Sequence, residues 1–267
     1  MSNPVFSAAT VAVLRDGAAG LEVFLVKRSS KTRFMPHAHV FPGGRVDPAD
    51  ALVPMLGGQE DRERMNVSDA AAYQAAAIRE TYEESGILLA DGEGSEDARA
   101  ALHTHRESLV EVAGRMGWTL KADRLVYWSW WLTPEAEPRR YDTRFFIAAV
   151  DSDTVGEHDN TETVDSAWWR PLDALQRFDV GEILLAPPTA RTLQELVEHA
   201  TTEEALAAGR LRRTPQIEPR LHMGEDGVLV VVLPGDPEFP APVSVEGPTR
   251  MHLRYAQPWL DRDKVGE

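Results

Sequence analysis

The stretch Arg79-Glu80-Thr81-Tyr82-Glu83-Glu84-Ser85-Gly86 brings three glutamates together in a chain of 267 residues. At positions i, i+3 and i+4 they share one face of a helix. Like charges at this spacing destabilise an isolated helix, and only Arg79 stands beside them to offset the repulsion. A solvated acidic helix face is one interpretation. The other is a site for a divalent cation, because closely spaced carboxylates suit Mg²⁺.

The glutamates are predicted to lie at the end of a helix over residues 69–85. Its alanine-rich first half favours a helix, Ser68 is placed to cap it and Gly86 to end it. Upstream lies Phe41-Pro42-Gly43-Gly44, and paired glycines let the backbone come close to a ligand or metal. These glycines favour the cation site over the plain acidic surface.

Both stretches resemble one known motif. The run from Arg79 to Ile87 is similar to the second half of the Nudix box at every fixed position, and Phe41-Pro42-Gly43-Gly44 is similar to the first half. The resemblance implies a Nudix fold of the α/β (α+β) class, a mixed β-sheet sandwiched between helices, over residues 5–175.

The two halves stand further apart than the box has them. Between Gly44 and Arg79 there are 34 residues, 21 more than in the family pattern. We assign the extra length to a surface insertion at about residues 48–67. Counted back from Arg79, the intermediate glutamate of the box falls on Ala71, so either Asp69 takes its role or the role is absent.

We divide the chain into a Nudix domain, residues 1–187, and a C-terminal helical and irregular extension, residues 188–267, that packs on the core. Apolar patterns predict strands at 5–14, 21–27, 125–132, 143–150, 164–169 and 228–233. Helical patterns predict helices at 97–116, from Pro171 to about Leu175, and at 189–209.

The resemblance implies roles for the box residues. Glu84 is expected as the main metal ligand with Glu83 beside it, Glu80 as a ligand through water or as the base, the Gly43 carbonyl as a further ligand, and Arg79 as the residue that orients the glutamates. Bound Mg²⁺ or Mn²⁺ polarises a diphosphate and activates water. The set proposed as catalytic is completed by Glu162, six residues before Trp168, although surface acidity is the alternative for it.

The substrate is suggested by the segment before the glycines. The spacing of Arg28, Ser29, Arg33 and Phe41 resembles the coenzyme A diphosphatase signature, with His37 where that signature has glycine. Arg28 and Arg33 are expected to hold the additional phosphate of coenzyme A, since guanidinium suits phosphate. The alternative is a solvated basic loop.

Longer runs resemble the peroxisomal-type coenzyme A diphosphatase subfamily. These are the segment from Phe34 to Asp50, the insertion, Trp128 to Pro134, and Arg140 to Phe146. The expected products are 3′,5′-ADP and an (acyl-)phosphopantetheine. Arg140 and Arg144 are candidates for phosphate contacts, with a salt bridge to Asp142 or a neighbouring carboxylate as the alternative.

Aromatic and histidine side chains are assigned mainly to structure. In a regular strand Trp128 and Trp130 share one face and Trp131 takes the other. Core packing is the favoured interpretation, with one tryptophan lining the site. His37 and His39 are candidates for general acids, but loop histidines are more often simple surface groups.

The sequence supports other functions less well. The alternatives are hydrolysis of another nucleoside diphosphate derivative (ADP-ribose, NADH or diadenosine polyphosphate) and a non-catalytic nucleotide-binding regulator. No proline, typical of ADP-ribose hydrolases, occurs between Ile87 and Thr133. The intact glutamates argue against a regulator, because a protein that has lost catalytic activity has no need to keep three carboxylates that repel one another.

The charge balance restricts the partners. Asp and Glu number 43 against 28 Lys and Arg, a formal net charge of −15, which disfavours binding to nucleic acid or an anionic membrane. The chain has no cysteine, so thiolate metal sites are excluded. We expect a cytoplasmic protein that acts on a small nucleotide substrate, with a homodimer as the common state of the family.

Overall fold

A long apolar hairpin forms the centre of the computed structural model, which describes residues 3–32, 35–135, 137–224, 228–241 and 244–253. Its strands are β1 (Val5–Gly17) and β2 (Gly20–Arg28), paired from Leu14↔Val23 to Gly17↔Gly20. Gly20 has φ +111°, which explains the glycine at this turn. The hairpin predicted from the sequence is confirmed, with its first strand three residues longer.

The remaining strands and helices follow along the chain. The strands are β3 (Ala38–Val40), β4 (Gly43–Arg45), β5 (Met55–Leu56), β6 (Ala90–Asp91), β7 (Thr119–Lys121), β8 (Leu125–Leu132), β9 (Arg140–Ala149), β10 (Thr163–Trp169), β11 (Leu184–Leu185), β12 (Gln216–Ile217), β13 (Arg220–Met223), β14 (Leu229–Val232) and β15 (Arg250–Leu253). The α-helices are α1 (Gln59–Met65), α2 (Ala70–Ser85), α3 (Glu96–His103), α4 (Leu109–Met116), α5 (Pro171–Asp179), α6 (Pro187–Leu196) and α7 (Thr202–Leu211).

The main sheet is mixed, as predicted. Its order is β11-β3-β2-β1-β9-β8-β12, with β10 also paired to β2 and β4 to β1. The β1–β9 pair is parallel, whereas β1–β2 and β8–β9 are antiparallel. The β4 pairing sets Gly43 and Gly44 against Thr10 and Ala9, so the glycines lie beside the central strand.

Two apolar cores cover the two faces of this sheet. On one face α2, α3 and α4 pack against β1, β8 and β9, and the fully buried Ala75, Ala76 and Ala77 let α2 approach closely. On the other face α5, α6 and α7 pack together with the small sheet β13-β14-β15. The expected sheet between helices is therefore confirmed.

Two long helices predicted from the sequence are each broken in two. Residues 97–116 form α3 and α4, because Ser108 and Glu111 make a reciprocal capping box that starts a new helix. Residues 189–209 lie in α6 and α7, because Thr201 caps the second helix and Thr202 donates to Asp16 at 2.8 and 2.9 Å. Apolar periodicity continued across both breaks, so it did not predict them.

The insertion predicted at residues 48–67 lies mostly at the surface, and it is folded and attached to the core. It contains a 3₁₀-helix at Pro48–Leu52 and α1, with Asp61 and Met65 buried. The Asp61 carboxylate accepts the Tyr127 N–H at 2.8 Å, and Arg64 donates to the Tyr127, Gly209 and Arg212 carbonyls. The insertion therefore connects α2 to β8 and α7.

The cap that the sequence predicted for α2 is wrong. The N-cap of this helix is Asp69, without a side-chain hydrogen bond, and not Ser68.

The C-terminal extension shares the core of the preceding residues. β12 pairs with β8 at the end of the main sheet, and Leu193, Leu229 and Leu253 belong to one apolar cluster. The strand predicted at 228–233 is present as β14, between two strands that the sequence did not indicate. A domain division at residue 187 stays a prediction. Among the described residues, no helix is both long and apolar enough to cross a bilayer.

Candidate active site

The three glutamates of α2 line one pocket, and two of them are held by the guanidinium of Arg79. Arg79 Nη1 donates to Glu80 Oε1 at 2.8 Å and to Glu83 Oε1 at 2.9 Å. The helix ends at Gly86, which has φ +71° and donates its N–H to the Tyr82 carbonyl. One arginine thus fixes two carboxylates at the mouth of the pocket.

A fourth carboxylate, Asp50, completes this arrangement and was missed from the sequence. It is buried in the insertion, and its Oδ2 accepts Arg79 Nε at 2.9 Å, while Arg79 Nη2 donates to the Arg45 carbonyl at 2.7 Å. In the box the intermediate acidic residue stands six places after the glycine, and Asp50 is six places after Gly44. Counting forward from the glycine finds Asp50; counting back from Arg79 across the insertion gave Ala71 or Asp69.

Glu84 is the box carboxylate that contacts the glycine loop. Its side chain is buried, and its Oε2 accepts the Gly43 N–H at 3.1 Å. Burial and then repulsion from Glu80 raise its pKa well above the usual range, and Arg28 and the Gly43 N–H only partly oppose this. The glycine loop and the end of the helix are therefore joined through the main candidate ligand.

Glu80 lies directly against the second glycine. Burial raises its pKa to about 7; Arg79 lowers it, while Glu83 and Glu162 raise it. A Cβ at position 44 would stand 2.5 Å from the Glu80 carboxylate. Only glycine leaves room for this carboxylate, which is the close approach anticipated for the pair.

Glu162 reaches the same site from the loop before β10. It lines the pocket, and its charge contributes to raising the pKa of both Glu80 and Glu84. The loop is held by Asp159, whose Oδ1 accepts the Glu162 N–H at 2.8 Å, and by the Glu162 carbonyl, which accepts the Ser29 N–H at 2.8 Å. The structure therefore brings Glu162 to the box residues.

The donor chemistry fits the divalent cation that the resemblance implies. Glu80, Glu83, Glu84 and Glu162 offer only carboxylate oxygens, which hard cations prefer. Burial and neighbouring carboxylates raise the pKa of Glu80 and of Glu84, and Arg79 and Arg28 offset this only in part. Among the described residues, no three acidic or histidine groups already form a metal-binding cluster. The glutamate oxygens now contact Arg79 and Gly43 and would have to turn toward a cation.

The residues of the basic segment divide between pocket and loop. Arg28 lines the pocket, and its buried Nε has no hydrogen-bond partner among the described atoms. Ser29 is buried and its Oγ accepts the Lys31 N–H, which shapes the loop. Arg33 lies outside the described residues. His37 has φ +64°, the left-handed conformation that explains why the related signature has glycine there.

Arg140 and Arg144 are not brought to the pocket. Arg140 donates to the Thr133 carbonyl and to Glu218 Oε1 at 2.7 Å. Arg144 is 1% exposed, stacks 3.7 Å from the centre of the Trp130 ring, and lies 3.7 Å from the Asp142 carboxylate. Both arginines are therefore paired with carboxylates, which was the alternative to phosphate contacts, and neither lines the pocket.

The tryptophan faces also differ from the expectation. A bulge between Tyr127 and Ser129 shifts the alternation, so Trp128 and Trp131 pack in one core and Trp130 in the other. Trp131 is the one of the three that lines the pocket. His39 is buried in β3, and burial lowers its pKa to about 4. It is not a surface histidine.

The pocket has a volume of about 490 Å³. Two of its lining residues, His103 and His105, were not indicated by the sequence; His103 ends α3 and His105 lies in the turn after it. His103 Nε2 lies 2.5 Å from Thr161 Oγ1, beside Glu162. The turn that broke the predicted long helix therefore carries part of the pocket wall.

Several known proteins are similar to this chain over most of its length. A family model described as the NUDT19 Nudix domain matches residues 48–196. Two curated relatives named acyl-coenzyme A diphosphatase NUDT19 are 28% identical in Xenopus laevis, over 87% of this chain and 75% of the relative, and 30% identical in Gallus gallus, over 84% and 74%. The crystal structure of a Nudix hydrolase from Alicyclobacillus acidocaldarius aligns with a TM-score of 0.69 and 30% identity, over 80% of this chain and 99% of the other.

Proposed function

The chain belongs to the Nudix hydrolases, in the family of the NUDT19 Nudix domain, and on that premise we propose that it hydrolyses the diphosphate of coenzyme A or an acyl-coenzyme A. The products are 3′,5′-ADP and an (acyl-)phosphopantetheine. Mg²⁺ or Mn²⁺ is the proposed cofactor. The names of the relatives support this substrate class.

One observation carries the proposal: Arg28 faces the cluster of Glu80, Glu84 and Glu162 in a single pocket. The carboxylates suit cations that accompany a diphosphate, and the guanidinium suits a phosphate oxygen. The buried Nε of Arg28 is without a hydrogen-bond partner in the described part of the chain, so a phosphate oxygen would satisfy it. Arg33, although outside the described residues, belongs to the same proposed phosphate contact.

The residues have separable tasks in this reaction. When bound, a divalent cation polarises the diphosphate and lowers the pKa of water. Glu84, with Glu83 and the Gly43 carbonyl, is proposed to hold it, while Arg79 and Asp50 orient the glutamates. Water attacks one phosphorus, the bridging P–O bond breaks, and Glu80 or Glu162 accepts the proton. Arg28 holds the substrate so that the diphosphate reaches the carboxylates.

A panel of substrates tests the proposal. The purified protein with Mg²⁺ or Mn²⁺ is incubated with coenzyme A, an acyl-coenzyme A, ADP-ribose, NADH and diadenosine polyphosphates, and the products are separated by chromatography. We expect 3′,5′-ADP from the coenzyme A substrates at the highest kcat/KM. A preference for ADP-ribose, NADH or the diadenosine compound contradicts the substrate, and turnover of none of them points to a non-catalytic binding module.

A further inference from the structure

The pocket has a second wall whose chemistry differs from that of the glutamates. We call it the apolar wall. It consists of the start of α6 and three leucines of the small sheet: Ala186, Pro187, Pro188, Leu221, Leu229 and Leu253. Most of it comes from the C-terminal extension, to which the diphosphate chemistry assigns no role.

The apolar wall is firmly attached to the rest of the fold. Leu229 and Leu253 are direct partners in the β14–β15 pair and are buried, at 7% and 1% exposure. Arg191 in α6 is 3% exposed and donates to the Glu246 and Pro248 carbonyls in the segment before β15. These hydrogen bonds join α6 to the segment that leads into the small sheet.

The wall offers carbon surface and no charge. Proline lacks an N–H donor, and the leucine and alanine side chains have no polar atom. Leu221 remains 41% exposed on β13 where it lines the pocket. A phosphorylated nucleoside needs cations and hydrogen-bond donors, which the pocket supplies elsewhere through Arg28, His103 and His105. The wall therefore suits the half of the substrate that carries no phosphate beyond the cleaved bond.

We propose that the apolar wall binds the acyl chain of a fatty acyl-coenzyme A, so that the C-terminal extension makes the enzyme prefer acyl thioesters to free coenzyme A. This inference rests on the proposed function, whose diphosphate chemistry it leaves unchanged. Covering exposed apolar surface such as Leu221 with an alkyl chain is favourable in water. The preference should therefore grow with chain length until the wall is covered.

Leu221→Ser tests the wall, and Met223→Ser is its matched control. Both residues are large, apolar and exposed on β13, two positions apart, and of the two only Leu221 lines the pocket. For each protein, kcat/KM is measured with coenzyme A, octanoyl-coenzyme A and dodecanoyl-coenzyme A in the presence of Mg²⁺. Circular dichroism verifies that each variant is folded.

The wild-type protein should prefer the dodecanoyl substrate, and Leu221→Ser should reduce the ratio of dodecanoyl to free coenzyme A kcat/KM by about 5- to 20-fold. Its activity on free coenzyme A and the behaviour of Met223→Ser should stay within about twofold of wild type. An unchanged ratio in Leu221→Ser, or an equal loss in Met223→Ser, overturns the role of the wall while leaving the proposed diphosphatase intact. Absence of turnover of all three substrates by the wild type overturns the proposed function itself.

Discussion

Arg79 on α2 and Arg144 on β9 are both buried, at 9% and 1% exposure, yet their partners are of different kinds. Arg79 donates to the carboxylates of Asp50, Glu80 and Glu83. Arg144 lies 3.7 Å from the centre of the Trp130 ring and 5.5 Å from that of Tyr73, and it donates to the Tyr127 hydroxyl at 3.2 Å. The sequence suggested a functional role for both.

The difference shows that partners, and not burial, decide what a buried arginine does. The contacts of Arg79 fix oxygens that open into the pocket, so its loss should affect the reaction. The contacts of Arg144 join β8, β9 and α2 behind the pocket, so its loss should affect stability. Each of the following changes tests one side of this contrast.

Glu84→Gln should have the largest effect, a fall in kcat on the order of 10³-fold, or about 4 kcal/mol in the barrier, because a cation ligand loses its charge. The amide oxygen can still accept the Gly43 N–H, so the fold is retained. Without divalent cations, unfolding should occur at the same temperature as in the wild type or above it, because a pKa raised by burial means that the charged form destabilises the fold at neutral pH. Steady-state kinetics and thermal unfolding measure both; near-normal kcat refutes the ligand assignment.

Arg144→Met should reduce the free energy of unfolding by about 3 kcal/mol, since it removes a buried cation from its aromatic and carboxylate partners. For a chain of this size the melting temperature should fall by roughly 6–12 °C. Turnover per folded molecule should be unchanged. Arg210→Met, at an exposed position of α7, is the control and should change the melting temperature little. A loss of kcat in Arg144→Met without a loss of stability would contradict the structural role and indicate that this arginine contacts the substrate.

Asp50→Asn should lower kcat by about 10- to 100-fold with a smaller effect on KM, as expected for a residue that orients ligands without touching substrate. The amide keeps the size of the side chain but removes the charge opposite Arg79 Nε. Asp47→Asn is the control, because Asp47 is exposed and its carboxylate accepts the Ala49 N–H. Equal kcat and KM values in the two variants would show that Asp50 does not orient the metal ligands.

His39 is a further buried titratable group besides the two arginines, and its pKa is set mainly by burial. Burial and Lys27 lower the pKa to about 4, against smaller opposing effects of Asp165 and the Leu184 backbone. The unfolded chain binds the proton near pH 6.5 and the folded chain near pH 4, so stability is full above pH 6.5 and is lost as the pH falls toward 4. From pH 7 to 5.5 the free energy of unfolding should fall by about 1 kcal/mol from this group. Chemical denaturation at both pH values should show a shallower dependence in His39→Gln, and an identical dependence excludes the contribution.

Much of the site was predictable because it is local in the chain. Glu80, Glu83 and Glu84 share a face through helical spacing alone, and Gly43 and Gly44 are adjacent. Asp50 was missed because the insertion separates it from Arg79 by 28 residues, across which spacing carries no register. His103 and His105 were missed because they lie at the break between α3 and α4, which the apolar pattern did not predict.

The sequence by itself determined the fold class, the family and the carboxylates, because these depend on short-range periodicity and on a motif with fixed spacing. Only the tertiary structure decided which charged side chains serve the pocket. Arg28 and Glu162 reach it, whereas Arg140 and Arg144 bind carboxylates and rings elsewhere. The physical reason is that the energy of a buried charge depends on its partners in space, and those partners come from distant parts of the chain. The same holds for the apolar wall, which no local pattern places beside the glutamates.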